Sequence, residues 1–346
     1  MLNLNYSPIV LVEDVPSLTR EQWLQWRRKG IGGSEVSIIL GISPFKKTKR
    51  DLYLDKRGIQ GAMTDDADNW VGKEVGHRLE SLVAEIYARK TGYKVYPIRK
   101  MFQHPLFPFL IADVDFFVQK PNGSRGILEC KTGHFHKIGD WSNGRVPRYY
   151  EVQGRHYMSV TNLDFAAFAG LFSNSIDDFR DTEVERDLED EEGTINIVGS
   201  FWNNNVLAGV EPPLDESADK ALASIARFYG AADKSLPELE LAPAFVPQIK
   251  QMLEVKEKKA AVEKEARELD AQYRSLFVPI ADQLGQKVSA FCESGGERFE
   301  ITYAPTGRAS IRSKEMEVFQ VNHPDLYEKY VSVSDNRTIV VKKVAV

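Results

Sequence analysis

The stretch FLIADVDFFVQKPNGSRGILECKT, residues 109–132, decides the fold. Both ends are rich in β-branched and aromatic residues, and the KPNGSRG between them carries Asn122-Gly123, which reads as a hairpin connection. Successive side chains of a strand point to opposite faces. Asp113 and Asp115 therefore share one face, opposite Ala112, Val114, Phe116 and Val118, while Ile127, Glu129 and Lys131 lie together, opposite Leu128 and Cys130. The hairpin is expected to present Asp113, Asp115, Glu129 and Lys131 to one pocket. Acids on apolar-flanked strands are costly unless paired or coordinated. Salt bridges to Lys131 and nearby arginines are the structural alternative. The preferred reading has Asp115 and Glu129 holding a divalent cation with phosphate oxygens, and Lys131 orienting or activating water.

The flanking segments complete an α/β pattern. Residues 71–90 read as a helix, with Val71, Val75, Leu79, Val83 and Ile86 or Tyr87 three or four apart and Glu80 beside that stripe as a further ligand. A strand is expected at 94–98. After the hairpin, 147–160 reads as a helix that places Gln153 where it positions water or phosphate, and LDFAAFAGLF, 163–172, as another apolar strand or buried segment. The acid-rich residues 177–192 read as a solvated edge or loop, and helices are expected at 196–208 and 216–229.

Upstream, 17–29 reads as a helix capped by Ser17 or Thr19. It leads into GIGGSEVSIILGISPF, residues 30–45, where Ser34 can cap a short helix and an anion can bind. Residues 27–58 hold nine Lys or Arg against three acids, and 120–156 add a second basic excess. Two such stretches favour a phosphate-binding groove over either alone, although a solvated face is the plainer reading of each.

With 346 residues, 42% of them apolar, the chain can bury a substantial core, and its net charge of −5 disfavours a purely electrostatic nucleic-acid binder. Cys130 and Cys292 form neither a zinc cluster nor a disulfide framework, so a reducing setting is expected. The opening MLNLNYSPIVLVEDVPS lacks the marks of a secretion signal, and an apolar run of membrane-spanning length is missing. A cytoplasmic protein without membrane partners is the expectation. Past a linker-like 230–247, a charged amphipathic helix is expected at 246–275, its positions Ile249, Leu253, Lys256, Ala260, Val262 and Leu269 too irregular for a coiled coil. The tail alternates at VSAFCESG, ERFEITYAP and RTIVVKKV, which suggests a small β-rich unit. The expected division is 1–210, 211–245 (helix and linker) and 246–346 (C-terminal extension).

The order RRKGIGGSEVSIILGISPF, VGHRLESLVAEIYARKTGY, LIADVDFFV, GILECKT and YYEVQGRHYMSVTNLDFAAFAGL resembles the YqaJ-like viral recombinase family, relatives of the phage lambda-type alkaline exonuclease in the PD-(D/E)xK nuclease superfamily. The resemblance covers about residues 20–210. It implies an α/β, restriction-endonuclease-like mixed sheet flanked by helices, and phosphodiester cleavage with magnesium, one ion or two, manganese being a substitute. Asp115, Glu129 with Lys131, Glu80 and Gln153 match the family's acidic strand, Glu-x-Lys, helical acid and helical glutamine. Arg27 or Arg28, with Ser34, match the region that engages the DNA-end phosphate, and Arg155 is a further phosphate ligand. Arg155 stands where a second glutamine is frequent, and Phe116 where glycine often follows the aspartate. The resemblance further implies resection of one strand of duplex DNA from its 5′ end, a single-strand annealing protein as partner, a homo-oligomer that forms a ring, and a phage or prophage origin in a bacterial host.

Two chemistries are set aside. His134-x-His136 has no compact Cys/His set around it for zinc, and the surroundings of Ser34 are not those of an acyl-transfer elbow. A catalytically idle DNA-binding or recombination scaffold is the alternative, and a structural interaction protein that uses 246–275 is a third reading.

Overall fold

The computed structural model describes residues 2–59, 70–304 and 313–331. Met1–Gly230 forms one compact unit and Ala231–Val346 a second.

The first unit is built on a five-stranded sheet of order β2-β5-β6-β7-β8, from β2 (Lys94–Pro97), β5 (Phe116–Gln119), β6 (Arg125–Thr132), β7 (Phe165–Leu171) and β8 (Phe179–Glu185). Only β6 and β7 run parallel, which needs a crossover; α5 (Arg148–Thr161) supplies it. The expected hairpin is present, with Phe116 opposite Leu128 and Gln119 opposite Arg125. One face of the sheet packs Ile127, Ala166 and Phe168 with Val152 and Met158 of α5. The other packs Phe116, Val118, Leu128 and Ala167 with Val83, Ala84 and Tyr87 of α4 (Trp70–Thr91). Strand β7 is buried along its whole length. Its small residues admit α5 so closely that a Cβ on Gly154 would come within 2.4 Å of the Phe168 ring.

A three-stranded antiparallel sheet, β1 (Ile9–Val12), β3 (Met101–Gln103) and β4 (Ile111–Asp113), stands beside it. The single strand expected over 109–118 is therefore two. It breaks at Val114 and Asp115, neither of which lies in a strand, and the two halves join different sheets. The break also changes faces: Ala112 and Val114 pack on the α5 side, Phe116 and Val118 on the α4 side. The expected sharing of one face by Asp113 and Asp115 fails for this reason.

Thr19 caps α1 (Arg20–Arg27) in a capping box with Gln22. Ser34, expected to cap, lies inside α2 (Gly33–Ile39); Gly32 is the cap, and Glu35 reaches back to its N–H at 2.7 Å. The acid-rich segment is the edge strand β8 followed by α6 (Leu188–Phe201). Two of the three β8 carboxylates are matched by cations, Asp181 with Lys90 and Glu183 with Lys120. Further on, α7 (Ala218–Tyr229) binds α3 (Lys49–Lys56) through Arg227 and Ser224 on Asp51, at 2.6 and 3.0 Å.

The second unit contains α8 (Val246–Leu284), longer than expected, and the hairpin of β9 (Ser289–Ser294) and β10 (Glu297–Thr302). Beyond these the expected β-rich tail gives two helices, α9 (Ser313–Asn322) and α10 (Pro324–Tyr330), whose Phe319 and Tyr327 rings face each other. The RTIVVKKV segment lies outside the described residues. Among the described residues, no helix is long and apolar enough to cross a membrane.

Candidate active site

Glu129 and Lys131 project from the α5-facing side of β6, and Gln153 meets them from α5. Glu129 is 3% exposed. Its Oε1 accepts hydrogen bonds from Lys131 Nζ at 2.5 Å and Gln153 Nε2 at 2.6 Å. Lys131 Nζ also lies 3.5 Å from Gln153 Oε1 and 4.7 Å from the centre of the Tyr150 ring. Burial works against the Lys131 charge, but Glu129 and Asp115 outweigh it and hold the ammonium above the usual lysine range.

Asp115, at the break between β4 and β5, accepts the Cys130 N–H at 3.2 Å. Burial, then the charges of Glu129 and Glu80, push its carboxyl well above the ordinary aspartate range against the pull of Lys131. Glu80 on α4 is raised as well, first by burial and then by Glu129, with His77 opposing. Asp113 is held elsewhere, its Oδ2 accepting Trp23 Nε1 at 2.8 Å.

Glu80, Asp115 and Glu129 thus lie within one another's fields. Among the described residues, however, no group of three or more His, Cys, Asp or Glu forms a ready cation cluster. Lys131 and Gln153 both occupy one Glu129 oxygen, Oε1. The other oxygen, Oε2, is buried without a hydrogen-bond partner. An orphaned carboxylate oxygen beside two acids whose charged forms are disfavoured fits a hard divalent cation. Histidines 134 and 136 stack on each other in an exposed stretch.

The predicted phosphate ligands divide. Ser34 lies on α2, which packs on α5 so tightly that a Cβ on Gly33 would lie 2.6 Å from Tyr157 and 2.9 Å from Gln153, and Arg27, the last residue of α1, reaches it. The Arg27 guanidinium lies 2.8 Å from Glu35 Oε1, 3.4 Å from Ser34 Oγ and against the Trp23 ring. By contrast, Arg28 pairs with Asp55 of α3 at 3.4 Å, and Arg155 with Glu151 at 2.8 Å and Asp190 of α6 at 3.5 Å. The basic stretch 27–58 is extensively matched by acids, for Lys49 and Arg50 reach Asp215 and Glu211.

Three participants have no place in the sequence reading. Tyr157 Oη accepts Gln153 Nε2 at 3.1 Å; its place four residues on, on the same helical face, is a signal for it. Glu35 joins Arg27 to Lys56, whose ammonium is fully buried 2.8 Å from Oε2. The Gly32-x-x-Glu35 spacing points to Glu35 as a cap, but Lys56 has no local signal.

Residues 22–164 match the model of the YqaJ-like viral recombinase domain. The uncharacterized protein YqaJ of Bacillus subtilis (strain 168) is 30% identical over 330 residues, 95% of this chain and 96% of that protein. The chain belongs to the YqaJ-like viral recombinase family. The family match spans the glycine-rich turn, both acidic strands and α5, so each of the site residues above except Asp190 of α6 and the acids at 211 and 215 falls inside it. Among solved structures, an alkaline exonuclease from Laribacter hongkongensis is similar with a TM-score of 0.46 and 20% identity over 55% of this chain and 94% of that one. A phage-related exonuclease from Haemophilus somnus 129PT gives 0.38 and 12% over 54% and 99%.

Proposed function

We propose that this YqaJ-family chain is a metal-dependent deoxyribonuclease that resects one strand of duplex DNA from a free end, in the 5′ to 3′ direction. The observation that carries the proposal is the buried, unpartnered Glu129 Oε2 in the joint field of Asp115 and Glu80. Glu129, Asp115 and Glu80 would hold the cation, magnesium as one ion or two with manganese a substitute. When bound, such an ion supplies a polarised phosphate and a more acidic water.

The chain's own groups do the positioning. Gln153 fixes Glu129 through its amide N–H and is steadied by Tyr157. Lys131 is kept charged, so it acts as a donor toward a phosphate or leaving oxygen, and its ammonium is aimed by Glu129, Gln153 and the Tyr150 face. Arg27 and Ser34 are the residues proposed to receive the terminal phosphate. Arg27 already holds a carboxylate, Glu35, in the way it would hold a phosphate. Arg28 and Arg155 are paired with carboxylates as well, so each of the three arginines would meet a phosphate by sharing or leaving its acid. The reading extends, on the family resemblance alone, to a single-strand annealing protein as partner and a homo-oligomeric ring in a bacterial cytoplasm, with the nuclease function in the first unit, where the family match lies, and the extension outside it.

Digestion of duplex DNA labelled separately at its 5′ and 3′ ends, with magnesium or EDTA, tests this reading. Wild type should release 5′ label first and only with metal, and folded Glu129→Ala and Lys131→Ala proteins should release none. DNA binding without cleavage, across ends and metals, would favour the scaffold instead.

A further inference from the structure

Lys56, the last residue of α3, holds its ammonium out of solvent where α1 and α2 meet it. Nζ lies 2.7 Å from the Arg27 carbonyl oxygen, 2.9 Å from Glu35 Oε1 and 2.8 Å from Glu35 Oε2. Three acceptors use three N–H groups, which only the charged ammonium has. Burial works against that charge, and Glu35 supports it. Glu35 Oε1 is shared with Arg27 Nη2 at 2.8 Å, and Oε2 also accepts the Gly32 N–H at 2.7 Å. Lys56 therefore holds Arg27 twice, by its carbonyl directly and by its guanidinium through Glu35.

Two cations on one acid make a poor stabilising device. Apolar side chains of the same volume do as well as a buried ion pair, and a surplus buried charge opposes folding. The surplus makes sense where an anion completes the set. Among the described residues, the hydrogen bond and the ion pair of the Arg27 guanidinium both use Nη2, which leaves Nη1 and Nε for a further acceptor. The group lies flat on Gly32, where a Cβ would stand 2.8 Å from Cζ and 3.0 Å from each terminal nitrogen. Asp113, the nearest further carboxylate in its field, is engaged by Trp23. The Arg27 side chain is 13% exposed and that of Lys56 0%, so an incoming anion meets the arginine and not the lysine.

We propose that Lys56 and Glu35 are the positioning residues of an end-recognition subsite, fixing the Arg27 guanidinium in advance, its charge uncancelled, for the phosphate monoester at a 5′ end of duplex DNA. The inference rests on the reading above that Arg27 and Ser34 receive that phosphate. Because Lys56 neutralises Glu35, Arg27 stays anchored to the acid and still offers a full charge to the phosphate. Without Lys56, Glu35 and Arg27 close into a neutral pair, and a terminal phosphate has to compete with the carboxylate.

Fluorescence anisotropy on the full-length chain in EDTA tests this, since binding is then read without cleavage. The probe is a duplex closed at one end by a hairpin loop and carrying either a 5′-phosphate or a 5′-hydroxyl at the other. The readout is the ratio of the two Kd values, which a general loss of DNA affinity or of folded protein leaves unmoved. Wild type should favour the phosphate, and Lys56→Met should lower that preference about tenfold, the effect of one charge-assisted hydrogen bond. Arg27→Ala should remove most of it, and Arg27→Ala/Lys56→Met should remove no more, because Lys56 acts through Arg27. Glu35→Asp keeps all three charges but withdraws the carboxylate by one methylene. It should lower the preference as well, and it decides the outcome where thermal melts show Lys56→Met unfolded. A preference kept in Glu35→Asp or in folded Lys56→Met, or a further loss in the double variant, overturns the inference alone. A wild type without preference, or a preference that Arg27→Ala retains, overturns the phosphate reading and the inference together.

Discussion

Gln153 Nε2 donates to Glu129 Oε1 at 2.6 Å, while the carbonyl of the same amide faces Lys131 Nζ at 3.5 Å. One neutral side chain therefore orients both the acid and the cation of the Glu-x-Lys pair. Gln153→Leu should lower cleavage about 10–100-fold, the usual effect of losing a group that orients ligands. It should also cost about 1–3 kcal/mol for the donor removed from a buried carboxylate. Single-turnover cleavage and urea unfolding measure the two effects.

Asp115→Asn should stabilise the metal-free protein. Burial and the neighbouring acids raise the Asp115 pKa, so its charge weakens the fold at neutral pH and the neutral amide relieves it. In thermal melts, magnesium should raise the wild-type Tm in proportion to the logarithm of its concentration and leave the variant nearly unmoved.

Gly33→Ala should damage activity more than stability. The added methyl would sit 2.6 Å from Tyr157 and 2.9 Å from Gln153, and moving α2 off α5 costs about 1–3 kcal/mol while shifting the glutamine that orients Glu129. A loss of kcat at unchanged DNA affinity is the expected signature.

Below pH 6.5 the fold should weaken through two histidines. Burial lowers both His104 and His156 to about 4. His104 Nδ1 accepts the N–H groups of Leu106 and Phe107, a role that protonation ends. The unfolded chain takes up these protons first, so stability is full above about pH 6.5 and declines as pH falls toward 4. Glu35 is shifted in the same direction but for a different reason. Burial opposes its charge, but Arg27 and Lys56 hold it at about 2, so its contribution is lost only below about pH 4.5. Glu35→Gln, which strands two buried cations, should cost about 3–5 kcal/mol at pH 7. Urea midpoints across pH 2–8 for wild type and this variant give both slopes.

The hairpin, α4, α5 and the meeting of Glu129, Lys131 and Gln153 were legible because each depends on local spacing: a two-residue turn, a helical period, a strand period. The break at Asp115 was not, since hydrophobic residues alternate across it without interruption and only the partner strands reveal the change of sheet. Edge strand β8 was hidden for a related reason: its acids read as solvent-facing until Lys90 and Lys120, 91 and 63 positions away, arrive to match them. Lys56 was invisible as a buried ion because its counter-charge lies 21 residues back.

Asp115 belongs to neither ladder, whereas Glu129 is registered against Phe168 in the middle of the five-stranded sheet. The two acids therefore differ in mechanical character. A displacement of Glu129 must stretch hydrogen bonds to β7, whereas Asp115 is held at the joint of two sheets by its carbonyl, which accepts the Ile98 N–H at 3.1 Å, and by its carboxylate, which accepts the Cys130 N–H at 3.2 Å. Under the proposed nuclease reading, the two carboxylates that would share a cation are thus anchored by different means, one by a continuous sheet ladder and the other by two single hydrogen bonds across the joint.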